Sequence, residues 1–164
     1  MANLIAAVLL VTIVTCICFI DFEQYVIPNW LNALLFTSGV GLQAFTGWWQ
    51  ASFAILTAAG VFLVMWMVRE LHWRATGRIG LGLGDVKLAG AAGAWISAWN
   101  LPFFLFVASF TGLVYFMGRF GLRRQDLRTI RMPFGPFLGL ALVATWALEH
   151  TNFFNLTSGM VLAQ

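Results

Sequence analysis

Six stretches of the chain are almost continuously apolar: Ala2–Ile20, Trp30–Gly47, Ala51–Val68, Val86–Trp99, Leu101–Gly118 and Phe134–Leu148. None has the strict alternation of a half-buried strand or the ten-residue alternating segments of a membrane barrel. A helix needs roughly 20 apolar residues to cross a hydrocarbon core of about 30 Å. Lipid offers the backbone no hydrogen-bond partner, so a continuous apolar run must satisfy its own amides as a helix. The pattern predicts an all-α, polytopic membrane helix bundle of about six transmembrane helices. Asn100-Leu101-Pro102 separates the fourth run from the fifth, because proline cannot continue a helix that precedes it. Gly47 to Gln50 makes a tight corner between the second and third. No repeat or low-complexity linker interrupts the series, so residues 1–164 read as a single membrane-embedded domain.

Composition strengthens this reading. Of 164 residues, 61% are apolar and 9% charged, and mean hydropathy is +0.87; soluble domains carry about a quarter charged residues. Disorder, collagen and coiled coil are excluded by the same figures. The two cysteines, Cys16 and Cys18, lie in one apolar run and cannot make a disulfide framework or a zinc knuckle. On a helix they point about 200° apart and are expected as small buried apolar residues. No lysine or arginine precedes the first run and no Ala-x-Ala site follows it, so it is expected as a retained helix.

All nine lysines and arginines fall in two places. Arg69, Arg74 and Arg78 follow the third run, with Lys87 just beyond; Arg119, Arg123, Arg124, Arg128 and Arg131 follow the fifth. Positive charge collects on the cytoplasmic side, which places both segments and Asp21–Asn29 there and both termini outside. The net charge of +3 is thereby explained by topology: Arg119–Arg131 lacks stacking aromatics, so anionic lipid rather than nucleic acid is its expected partner.

With six acidic residues, each can be weighed. Glu70 and Asp126 sit among arginines, and Glu149 ends the last run on the outer side. Asp21 directly follows the first run and Asp85 opens the fourth after Gly80-Leu81-Gly82-Leu83-Gly84, so two topological steps bring both carboxylates to one membrane face. Val86–Trp99 is 14 residues long, roughly 21 Å as a helix, which sets Asp85 inside the hydrocarbon boundary. Such a group is costly and marks a functional site, although an interfacial helix end would account for Asp21 and an N-cap for Asp85. The alternate glycines leave room for another backbone beside Asp85, but match neither nucleotide-binding glycine motif. Two neighbouring carboxylates cannot both ionise cheaply and share one proton. In that state one takes a proton from water while the other donates to a scissile carbonyl, without metal or cofactor.

The residues around this pair resemble a known family. Asp21-Phe22-Glu23-Gln24-Tyr25-Val26-Ile27-Pro28-Asn29 looks like the first signature of type IV prepilin peptidases. Gly82-Leu83-Gly84-Asp85-Val86-Lys87-Leu88 matches their Gly-x-Gly-Asp motif, and Met132-Pro133-Phe134-Gly135-Pro136-Phe137 is similar to the motif before their last helix. The resemblance implies a membrane aspartyl endopeptidase of the bacterial inner membrane that removes the leader of prepilins or pseudopilins at the cytoplasmic face. Asp21 and Asp85 would be its catalytic pair. Family substrates carry a basic leader ending in Gly, then an apolar helix. Ile27, Pro28, Gly82, Gly84, Pro133, Gly135 and Pro136 are then expected to shape the site. Glu23 would attract the basic leader or remain a solvated acid, and Lys87 would tune the pair or reach the headgroups. Long members carry Cys-x-x-Cys pairs associated with N-methylation; their absence from this chain implies the short, peptidase-only form of tight-adherence (Flp) systems, without a methyltransferase domain.

His72 and His150 fall on opposite sides in this topology and cannot share a metal, and no Gly-x-Ser-Gly supports a serine protease. Trp30, Trp48, Trp49, Trp73, Trp95 and Trp99 stand near run ends, where an aromatic belt is expected. A proton-coupled transporter or channel would use the two Asp as a relay, but predicts mid-span acids and internal repeats. A non-catalytic pilus assembly factor would keep the fold alone. The oligomeric state is not readable from the residues.

Overall fold

The computed structural model describes residues 2–78, 80–120 and 133–150. Six α-helices follow one another: α1 (Ala2–Gln24), α2 (Asn29–Thr46), α3 (Trp48–Thr76), α4 (Leu83–Ala92), α5 (Leu101–Phe120) and α6 (Gly135–His150). A 3₁₀ turn, Ala98–Asn100, leads into α5. Each apolar run becomes a helix, and the architecture is an all-α bundle. Three segments are long and apolar enough to cross a membrane among the described residues: Asn3–Gln24, Trp48–Thr76 and Ala98–Arg119. Arg123, Arg124, Asp126, Arg128, Arg131 and Met132 lie outside the described residues.

Two helices overrun their apolar stretches. α1 continues to Gln24, so Asp21 sits within its last turns rather than after its end. α3 has 29 residues, about 43 Å, and therefore carries Arg69 and Arg74 on helix instead of loop. Arg74 donates from Nε to Glu70 Oε1 at 2.8 Å, one turn back on an exposed face, so Glu70 has the charged partner expected of it. α3 ends at Gly77, whose φ of 67° is left-handed and whose N–H closes on the Trp73 carbonyl at 2.8 Å.

α4 has ten residues, Leu83–Ala92, so only the first seven of the fourth run are α-helical. Beyond Ala92 the chain tightens into i→i+3 bonds from Gly93, Ala94 and Trp95 to the carbonyls of Gly90, Ala91 and Ala92. Leu88–Ala92 is buried throughout, because α2, α3 and α6 all pack on α4. Small residues permit this: a methyl on Gly90 would stand 2.9 Å from Phe62 Cβ, and one on Gly93 3.1 Å from Ala58 Cα. Close approach at small residues is how helices associate in lipid, where hydrophobic burial supplies little drive. α1 packs chiefly on α6, and α5 on α6; a methyl on Gly139 would meet Val14 Cγ1 at 2.7 Å.

Two residue expectations are corrected by this packing. Trp95 is buried and donates Nε1–H to the Leu35 carbonyl at 2.7 Å, so it ties α2 to the end of α4 and is no part of a belt; the other five tryptophans named above are exposed. Cys16 is exposed on the outer face of α1, while Cys18 is half-buried against Gly139. Helical geometry set them apart, but only Cys18 turned toward a neighbour.

Candidate active site

The C-terminal end of α1 and the N-terminal ends of α4 and α6 meet at one end of the bundle. Asp21 is 4% exposed there, and its Oδ2 accepts the backbone N–H of Gly135 at 2.9 Å across 114 residues of chain. The first amides of a helix have no partner within it; Asp21 satisfies one of those of α6. A side chain at 135 would break the arrangement, since its Cβ would lie 2.8 Å from Asp21 Oδ2 and 3.2 Å from Ile27 Cδ1.

Asp85 is the third residue of α4, with Gly82 in the capping position. Its side chain turns back over Gly82 and engages that residue's backbone, the half of a capping box that an acid at this position supplies. A methyl on Gly82 would come within 2.7 Å of Asp85 Oδ2. Asp85 thus caps α4 from inside the helix instead of preceding it. The two carboxylates lie within electrostatic reach of each other and line one cleft of about 360 Å³ with Tyr25, Ile27, Gly82, Gly84 and Lys87.

Ile27 explains two of the glycines. It is 6% exposed and wedged between the starts of α4 and α6: a methyl on Gly84 would stand 3.3 Å from its Cβ and one on Gly135 3.2 Å from its Cδ1. Pro28 is the N-cap of α2, Pro133 is buried and Pro136 half-buried. Lys87 donates from Nζ to Asn29 Oδ1 at 2.8 Å, so an asparagine holds it at the cleft wall. Glu23 is exposed and does not line the cleft.

Several residues here escaped the sequence reading. Tyr25 ends α1 with φ 55°, a left-handed conformation costing roughly 1 kcal/mol for a residue with a Cβ. Its N–H returns to the Asp21 carbonyl at 3.0 Å, and such outliers collect at functional sites. Arg69 donates from Nε to the Leu81 carbonyl at 3.1 Å and bridges α3 to the glycine segment. With His72 and Asp85 it borders a second cavity, of about 350 Å³, on the other side of Asp85. Asn32 is 5% exposed, and its Nδ2 makes a long 3.5 Å contact with the Gly84 carbonyl. At the far end of the bundle, Glu149 accepts the Ser97 N–H at 3.2 Å and the Ser97 hydroxyl, fixing the end of α6 to the start of the 3₁₀ turn. The one signal available for these was a polar residue inside or at the end of an apolar run, as Asn32 and Glu149 are.

No group of three or more His, Cys, Asp or Glu able to hold a metal occurs among the described residues. The acids instead stand as a pair, each oriented by a backbone amide from a different helix start. A family model described as the type IV leader peptidase family matches residues 8–117. A prepilin leader peptidase/N-methyltransferase of Dichelobacter nodosus is 38% identical over 125 residues, 76% of this chain and 42% of the relative. Its counterpart in Aeromonas salmonicida is 32% identical over 155 residues, 92% and 52% of the two chains. The Escherichia coli (strain K12) protein of the same name is 36% identical over 121 residues, 74% and 53%. The chain therefore spans about half the length of the curated relatives it matches. No solved structure matches.

Proposed function

The chain belongs to the type IV leader peptidase family, and on that premise we propose that it is a membrane aspartyl endopeptidase cleaving the leader of prepilins or pseudopilins at the cytoplasmic face. The observation that carries this reading is the shared cleft of Asp21 and Asp85. An inner-membrane location accords with the family and with the three long apolar segments.

In this mechanism one carboxylate is ionised and the other protonated. The ionised member takes a proton from water as the water oxygen bonds to the scissile carbonyl carbon, and its partner donates to the carbonyl oxygen. Collapse of the tetrahedral intermediate breaks the C–N bond, and the departing amine leaves with a proton returned by the pair. Gly135 N–H orients Asp21, the Gly82 backbone orients Asp85, and Ile27 sets the spacing between the starts of α4 and α6. The reading takes this end of the bundle as cytoplasmic, on the rule that positive charge collects on that side and from the arginines at and beyond the ends of α3 and α5; there a leader emerging from the bilayer would present its scissile bond. The two acids share one end of the bundle, as this reading needs, rather than stepping through its middle as a proton relay would.

The test is co-expression with an Flp-type or pseudopilin precursor, following leader removal on a gel. Wild-type protein is expected to shorten the precursor, and Asp21→Asn and Asp85→Asn, at equal membrane levels, to leave it intact. Cleavage by either variant at the wild-type rate would sink the two-carboxylate mechanism.

A further inference from the structure

The cleft does not end at the acids. Asn29 and Lys87, which line it, also line the head of a groove of about 440 Å³ between α2, α3 and α4. From that head the groove descends past Ala33 and Phe36 on α2, Ala59 and Ile55 on α3, and Gly90 on α4. Its polar groups are gathered at the top; below them the lining is apolar. From Asn29 to Phe36 is two helical turns, about 10 Å. Ala33, Ile55 and Ala59 are exposed, so the groove opens sideways on the flank of the bundle.

Its chemistry selects an occupant. Small residues on its walls allow a second backbone to approach closely, which in lipid favours a helix. At its head, Asn32 is 5% exposed and its Oδ1 has no hydrogen-bond partner. An orphan acceptor of this kind is costly. A helix that begins just beyond a scissile bond brings the complementary groups, since its first-turn amides are unbonded and asparagine is among the side chains that best cap them.

We propose that this groove seats the first two turns of the substrate's apolar helix, with Asn32 beside its free amides and the peptide bond preceding the helix led into the aspartate cleft past Asn29 and Lys87. The assignment rests on the cleavage reading above and adds to it the surface that selects a membrane-embedded substrate.

The purified full chain in lipid nanodiscs tests it, with a pseudopilin precursor bearing its complete apolar helix. Ala33→Trp and Ala59→Trp fill the groove from opposite walls at exposed positions. Each is expected to raise KM about tenfold or more with kcat kept, the signature of lost binding common to ground and transition states. In a second arm, Cys16 and Cys18 are replaced, Asp21→Asn holds the precursor uncut, and Ala59→Cys is cross-linked to a cysteine in the first two turns of the precursor helix. Phe110→Cys, on the exposed face of α5, serves as the comparison. Strong cross-linking at 59 and little at 110 is the expected result. Wild-type KM in both Trp variants, or equal cross-linking at 59 and 110, overturns the groove assignment and leaves it to lipid chains. A wild-type protein that leaves the precursor uncut refutes the cleavage reading itself.

Discussion

Gly82→Ala isolates the positioning of Asp85 from the stability of the fold. Gly82 has φ −65° and ψ 144°, values any L-residue adopts, and it is exposed, so the added methyl meets no backbone or core. It does meet Asp85 Oδ2, at 2.7 Å. Ordinary contact begins near 3.4 Å, so the carboxylate must retreat by about 0.7 Å and give up its hold on the Gly82 backbone. A misplacement on the order of 1 Å can cost about 100-fold in rate. The expected result is a kcat for leader cleavage lower by about 10- to 100-fold, roughly 1.4–2.7 kcal/mol in the barrier. The thermal midpoint in detergent should fall by no more than the loss of one helix cap, about 1 kcal/mol. Timed cleavage of a purified precursor at saturating concentration, with a fluorescence melt on the same preparation, measures both. Unchanged kcat would show that Asp85 does not work from its place over Gly82. A midpoint lowered well beyond that, with kcat kept, would show that the glycine serves folding rather than catalysis.

Gly135→Ala should behave differently, because its methyl would meet Asp21 Oδ2 at 2.8 Å and Ile27 Cδ1 at 3.2 Å where both residues are buried. Overpacking of this kind costs about 1–3 kcal/mol, so cleavage and thermal midpoint are expected to fall together in the same two assays. Glu149→Gln weakens the clasp on Ser97 by about 1–2 kcal/mol; at the opposite end from the acids, it should lower the midpoint while kcat holds. Trp95→Phe leaves the Leu35 carbonyl without its indole donor and should lower unfolding free energy by about 1–2 kcal/mol, read by denaturant titration in mixed micelles.

The helices were legible in the chain because each apolar run reports a local free energy: residues that cannot be left in water, with a backbone that cannot be left unbonded in lipid. The two acids were legible for the converse reason, since Asp21 borders a run without charge and Asp85 one whose single charge is Lys87. The glycines at 82, 84 and 135 were visible as motif, without their purpose. That purpose lies in contacts: Gly135 on Asp21 and Ile27 between Gly84 and Gly135 across the chain, and Asp85 folded locally over Gly82. The same holds for the shortening of α4, for Trp95 turning inward to Leu35, and for Glu149 reaching Ser97. Periodicity and hydropathy say that a residue leaves water; they do not say which neighbour it meets. In a bundle whose helices are apolar on nearly every side, that choice is made by close packing at small residues and by the few polar groups that must find one another. The sequence alone thus determined the elements, and the pairing of the two acids in a single cleft was decided by the packing of α1, α4 and α6.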